Sequence, residues 1–206
     1  MEKKVTLDLL GSTGSIGEQT IDVVRQTGAK IVSICAGKND KRVEEQAREF
    51  QPAFCAMADE EAAKSLRLRL ADTDIKVLGG ASGIEEMIAA SHAEVTLNAV
   101  LGEAGLSPTL AAIKSGKALA LANKESLVVA GEIVMAAARQ KGITIRPVDS
   151  EHCAIFQCLN GEPRDRVTKL LLTCSGGAFR GKKREELASV TRKEALAHPT
   201  WKMGAK

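Results

Sequence analysis

Seven short apolar runs alternate with six amphipathic runs over the first 148 residues, and this alternation constrains the fold more than any other feature. The strand-length runs lie at 3–10, 30–36, 53–58, 75–80, 93–102, 117–123 and 143–148. Helical patterns fill the intervals at 15–28, 39–50, 59–70, 83–90, 107–116 and 124–142. Strands joined through helices run parallel, since each crossover returns the chain to its starting end. Both faces of such a sheet are covered, so its strands read as continuous apolar runs. Of the 206 residues 44% are hydrophobic but only 2% aromatic, so the core must be built from Ala, Val, Ile and Leu. The expected fold class is α/β, with a mostly parallel, doubly wound, Rossmann-like sheet.

Local signals sharpen the helices. Gly28 stops the first, and Asn39 or Asp40 caps the second. The helix at 59–70 has acids in its first turn and arginines in its last, matching the helix dipole. Ser107 is expected as a cap with Pro108 at the first helical position.

The pattern changes after residue 150. Residues 150–161 look helical, and "VTKLLLTCSGG" (167–177) reads as a strand ending in a glycine turn. Residues 184–199 read as short helices, one opened by the capping box Thr191…Glu194. The expected domains are 1–149, dinucleotide-binding, and 150–206, the start of an incomplete α+β domain, because the chain stops at "TWKMGAK" without a terminal cap or turn.

The formal charge of +3, spread along the chain, suits a phosphorylated ligand but is no nucleic-acid footprint. No run reaches the length of a membrane span, and the charged N-terminus meets Gly11 too early for a secretion signal. The five cysteines form no C-x-x-C pair and read as buried, reduced thiols. A cytoplasmic protein with no membrane and no nucleic-acid partner is expected.

In "LLGSTGSIGEQT" a strand runs into Gly11, Gly14 and Gly17 and then into a helix. That arrangement aims backbone N–H groups and a helix N-terminus at one point, which attracts phosphate. Gly11 permits the tight turn, Gly14 close backbone approach and Gly17 close helix–strand packing. The bland alternative is a connecting turn. No G-K-[ST] follows, so a Walker loop is not expected. The second strand ends "AGKND", with Gly37, Lys38 and Asn39 at its tip and no carboxylate before Asp40. Lys38 and Arg42 could meet a 2′-phosphate, so NADP is expected over NAD.

Asp149 and Glu151 flank Ser150 just after the seventh strand. Two carboxylates this close can share a hard cation, Mg²⁺ or Mn²⁺, with a third ligand elsewhere. Helix capping by Asp149 or Ser150, with Glu151 on the dipole, is the alternative. Lys124 opens a helix at a strand's carboxyl end and is either a crevice lysine or a surface one.

The pieces "LGSTGSIG" (10–17), "AGKN" (36–39), "LANKESLV" (121–128), "PVDSEH" (147–152), "SGGAFR" (175–180) and "HPTWKMGAK" (198–206) together resemble the 1-deoxy-D-xylulose-5-phosphate reductoisomerase family, in order and spacing, over essentially the whole chain. The resemblance implies NADPH and Mg²⁺ or Mn²⁺ as cofactors. It places Thr13, Gly14, Ser15 and Ile16 on the NADPH phosphates. Gly37, Lys38 and Asn39 fall around the 2′-phosphate, and Asn123, Glu125 and Gly204 at the cofactor. Asp149 and Glu151 would hold the metal, and with Lys124 form the catalytic set. Lys124, Ser150, Glu151, Ser175 and His198 would meet the substrate, a small phosphorylated sugar. Trp201 would belong to a closing loop.

The implied reaction rearranges and reduces 1-deoxy-D-xylulose 5-phosphate to 2-C-methyl-D-erythritol 4-phosphate in isoprenoid precursor synthesis, by a homodimer at full length. Cys153, Cys174 and Ala178 depart from the family pattern. The family continues beyond "MGAK" into a motif carrying the third metal carboxylate, so this chain is expected to bind NADPH yet to be inactive alone. Two other readings are another NADP-linked dehydrogenase of semialdehyde or homoserine type and a non-catalytic NADP(H)-sensing module.

Overall fold

The computed structural model describes residues 4–173 and 176–199. All seven strands form: β1 (Thr6–Leu10), β2 (Lys30–Ala36), β3 (Phe54–Met57), β4 (Lys76–Gly79), β5 (Val95–Asn98), β6 (Ala118–Leu121) and β7 (Ile145–Pro147). They make one sheet in the order β4-β3-β2-β1-β5-β6-β7, every neighbouring pair parallel. The connecting helices are α1 (Ser15–Thr27), α2 (Asp40–Phe50), α3 (Glu60–Arg69), α4 (Gly80–Ala90), α5 (Leu106–Lys114) and α6 (Glu125–Lys141). Helix α7 (Ser150–Leu159) follows β7. The doubly wound α/β fold expected from the alternation is the fold observed.

The chain winds outward from β1 to β4, then returns to lay β5 on the other side of β1. The β1/β5 junction is therefore the topological switch point, where doubly wound sheets open a crevice at their carboxyl ends. Helices cover both faces of the sheet. Leu7 and Leu9 of β1 pack with Ile21 of α1, Val43 of α2 and Leu66 of α3. Leu10 packs on the opposite side with Ile84 of α4, Ile113 of α5 and Val134 of α6. Among the described residues no fully buried large side chain is aromatic. A register shift between Leu7 and Asp8 slips Val32 of β2 out of the pairing with β1. That lets Ile31 and Ile34, an odd number of residues apart, face the same core.

One polar group interrupts this core. Asp8 in the central strand is fully buried. Its carboxylate accepts from Ser33 Oγ at 2.7 Å, Ser91 Oγ at 2.5 Å, Thr96 Oγ1 at 3.2 Å and Lys117 Nζ at 2.8 Å. Lys117 also donates to the Ile88 carbonyl, so both charges are paired and hydrogen-bonded.

Four local expectations are corrected. Helix α5 starts at Leu106 after Gly105, so Ser107 and Pro108 lie inside its first turn rather than at its cap and first position. The Ser107 hydroxyl bonds the Glu85 carboxylate instead of a backbone N–H. The run 93–102 yields strand only over Val95–Asn98, because the chain must then leave the sheet at the crevice. Residues 167–173 form no strand, for no partner strand lies beside them among the described residues. Residues 174 and 175 lie outside the described residues. Cys35 and Cys55 are buried free thiols, pushed up to about 12 by burial, whereas Cys158 is exposed.

The chain divides into two compact units, Met1–Cys153 and Ala154–Lys206. Beyond the end of α7, the second has two short 3-10 turns, Arg164–Arg166 and Arg184–Leu187, and α8 (Arg192–Leu196). Thr191 and Glu194 make the expected reciprocal capping box. Leu170, Leu171 and Leu172 are exposed.

Candidate functional site

The glycine loop leaves β1 at the switch point. Gly11 has φ +81°, a left-handed conformation that favours glycine, and a Cβ there would sit 2.6 Å from the Ala99 carbonyl oxygen that follows β5. At Gly17 a Cβ would fall 2.2 Å from the Gly11 carbonyl oxygen, so the helix meets its own loop with no room for a side chain. Gly14 is the N-cap of α1 and offers no capping side chain. The first-turn N–H groups of α1, from Ser15 and Ile16 onward, therefore have no side-chain cap at the crevice.

A cavity of about 510 Å³ opens here. Gly11, Thr13 and Gly14 form one wall, Ala36 and Gly37 the tip of β2, and Ala58 the end of β3. Ala99, Val100 and Leu101 after β5, with Ile84 and Pro108, close it with apolar surface. One side walled by the glycine loop and one apolar side suit a ligand carrying phosphates and flat rings. The sequence reading missed the apolar wall. Its signal was available, since residues just beyond β5 must border the crevice once the strand order is known.

At the β2 tip, Gly37 has open space around it. Lys38 is 84% exposed and only loosely paired with Asp59, at 3.5 Å. Asn39 is the N-cap of α2, its Oδ1 accepting from the Arg42 N–H at 3.2 Å. The Arg42 side chain is engaged by carboxylates. Its guanidinium grips Glu18 through two bonds of 2.7 and 2.6 Å and reaches Glu45 at 2.5 Å. The expected role of Arg42 at a 2′-phosphate is thus not what its contacts show: its forked donors are taken by carboxylates.

Asn123, expected at the cofactor, is 2% exposed. Its Nδ2 donates to the carbonyls of Val100 at 2.7 Å and Gly102 at 2.8 Å, and its Oδ1 accepts from the Ser126 N–H at 2.9 Å. It ties the post-β5 loop to the start of α6, which makes it a support for the cavity wall. Glu125 follows, its Oε2 accepting from Asn123 Nδ2 at 3.3 Å.

Strands β6 and β7 bring Lys124 and Asp149 together. The Lys124 ammonium binds the Asp149 carboxylate directly. Asp149, 11% exposed, also faces His152 Nδ1 at 3.5 Å. Burial pushes its carboxyl upward, but the hydrogen bonds and charges of Lys124 and His152 outweigh that and hold it below its ordinary value. Lys124 is raised in turn, chiefly by its hydrogen bond to Asp149. Ser150 Oγ donates to Glu151 Oε2 at 2.5 Å. Asp149 and Glu151 thus present two hard carboxylates at one turn, with a cation already drawn to one of them. That donor set fits a divalent ion completing its shell with water or further oxygens. Among the described residues no group of three acids, histidines or cysteines forms a closed metal cage. His198 lies in the second unit, partly buried. Ser175, Trp201 and Gly204 lie outside the described residues.

Comparisons with known proteins bear on this geometry. A family model described as 1-deoxy-D-xylulose 5-phosphate reductoisomerase matches residues 7–131, and one described as the C-terminal domain of that enzyme matches residues 145–206. A 1-deoxy-D-xylulose 5-phosphate reductoisomerase from Acetivibrio thermocellus is 52% identical over 200 residues, covering 97% of this chain and 52% of the relative. The solved Zymomonas mobilis enzyme in complex with NADPH superposes with a TM-score of 0.88 at 39% identity, covering 96% of this chain and 52% of that one. A second solved structure, in complex with NADPH, fosmidomycin and magnesium, gives a TM-score of 0.83 at 36% identity, over 97% of this chain and 52% of that one. The chain spans about half the length of the curated relatives it matches.

Proposed function

Since the chain belongs to the 1-deoxy-D-xylulose 5-phosphate reductoisomerase family, we propose that it carries the NADPH-binding part and the first metal ligands of that reaction. The reaction is the rearrangement and reduction of 1-deoxy-D-xylulose 5-phosphate to 2-C-methyl-D-erythritol 4-phosphate. Residues 1–149 are the NADPH-binding domain and 150–206 the start of the catalytic domain. The observation that carries this reading is the glycine-walled cavity at the β1/β5 switch point, open to the uncapped end of α1.

In this reading the N–H groups of Ser15 and Ile16, with Thr13 and the close backbone approach at Gly14, hold the pyrophosphate. Lys38, free to swing at the β2 tip beside Gly37 and Asn39, supplies the positive charge for a 2′-phosphate. The apolar wall takes the flat rings, with Asn123 holding that wall in place and Glu125 beside it. Asp149 and Glu151 hold the divalent ion. Lys124 and Ser150 meet the phosphorylated sugar. When bound, NADPH supplies a hydride, and the metal polarises and orients neighbouring substrate oxygens. Lys124 keeps its proton near Asp149 and offers it as a fixed positive charge toward developing negative charge on the substrate.

Two carboxylates without a third among the described residues support a further point: the 206-residue chain binds NADPH but does not turn over alone. Titrating the purified chain with NADPH, following nucleotide fluorescence, is expected to show saturable binding. An NADPH-oxidation assay with substrate and Mn²⁺ or Mg²⁺ is expected to stay flat. Absence of saturable binding overturns the cofactor reading, and robust turnover overturns the inactivity.

A further inference from the structure

Glu18, Arg42 and Gln46 have no part in the cofactor reading above, yet hydrogen bonds of 2.6, 2.7 and 3.2 Å join them to one another. Gln46, 1% exposed, donates through Nε2 to the Ser12 carbonyl inside the glycine loop and to Glu18 Oε1, each at 3.2 Å. Glu18 lies one turn into α1 and receives the forked Arg42 guanidinium. Arg42 in turn gives its backbone N–H to Asn39 at the tip of β2. An unbroken chain of hydrogen bonds therefore runs from the glycine loop, through α1 and α2, to the tip.

We propose that Glu18, Arg42 and Gln46 form a positioning latch that fixes the glycine loop relative to the β2 tip, and that Arg42 does not bind the cofactor's 2′-phosphate. This rests on the NADPH reading. Every nitrogen of the Arg42 guanidinium already faces a carboxylate oxygen within 2.7 Å. A phosphate arriving at that guanidinium would meet Glu18 and Glu45 as well, and their like charge opposes it. Glu18 is held ionised below its ordinary value, first by its hydrogen bond to Arg42. Lys38 has no such competitor beyond the loose contact with Asp59. The latch supports the part of the site common to NADPH and NADH, while Lys38 meets the part that distinguishes them.

Calorimetric titration of the 206-residue chain with NADPH and with NADH separates these roles. Glu18→Gln and Arg42→Lys are each expected to weaken both nucleotides by the same factor, about tenfold, leaving their ratio unchanged, because Lys keeps the charge but loses the fork. Lys38→Met is expected to weaken NADPH alone, also about tenfold. Three results overturn the proposal: Arg42→Lys or Arg42→Met lowering the NADPH-to-NADH preference as Lys38→Met does, Glu18→Gln tightening NADPH, or variants with lower melting temperature but wild-type affinity. Wild-type protein binding NADH as tightly as NADPH overturns the NADP preference alone, and binding neither overturns both readings.

Discussion

Gly37 lines the cavity, Gly17 is buried in α1 behind the glycine loop, and the two meet opposite surroundings. A methyl group at Gly17 would collide with backbone of Gly11 and Ser12, which cannot step aside as a flexible side chain can. Gly17→Ala should cost about 3 kcal/mol or more in urea unfolding, the upper range for overpacking, and should abolish NADPH binding. At Gly37 nothing lies within 4 Å and the backbone is not left-handed. Gly37→Ala should leave stability within about 0.5 kcal/mol of wild type, so any loss of NADPH affinity there reports contact with the nucleotide. The spacing of Gly11, Gly14 and Gly17 assigns them separate roles, a tight turn, close backbone approach and close packing. Which atoms a side chain would strike was not legible, because at Gly11 they belong to Ala99, remote in the chain.

Among the elements, the apolar runs marked all seven strands and six connecting helices, since a doubly covered parallel sheet leaves each strand little polar exposure. Ends were less legible. Strand β5 is shorter than its apolar run because the chain beyond Asn98 builds the cavity wall instead. The run through Leu170–Leu172 has strand composition without a strand beside it among the described residues, and composition alone cannot close a hydrogen-bond ladder.

The start of α6 and the turn after β7 are joined by Lys124 and Asp149, which gives a pH signature. The Asp149 carboxyl is lowered in the folded protein from an ordinary 3.8. Its contribution to stability is therefore complete above that value and disappears as pH falls through the folded pKa. Comparing urea midpoints of wild type and Asp149→Asn should give a constant difference from pH 8 to 5 that closes only below 3.8.

At the scale of the whole molecule, the sheet is pinned by one buried ion pair. Asp8 and Lys117 are 109 residues apart and join β1 to the entry of β6 across β5. Lys117→Met would leave Asp8 charged in the core, and should cost about 3–5 kcal/mol in urea unfolding. The Asp8→Asn, Lys117→Met double variant should recover part of that loss, because the orphaned charge is gone while the Ser33 and Thr96 hydroxyls keep a partner.

The amino-acid order by itself determined the alternation of strand and helix, the parallel sheet, the glycine turn and the pairing of Asp149 with Glu151 in one turn. Each of these depends on residues a few positions apart, where periodicity and spacing act directly. Only the tertiary structure decided that Arg42 pairs with Glu18, that Asn123 braces the cavity wall, and that Asp8 meets Lys117. Those partners are brought together by the order of strands in the sheet, and a side chain's charge goes to whichever oppositely charged group the fold places nearest.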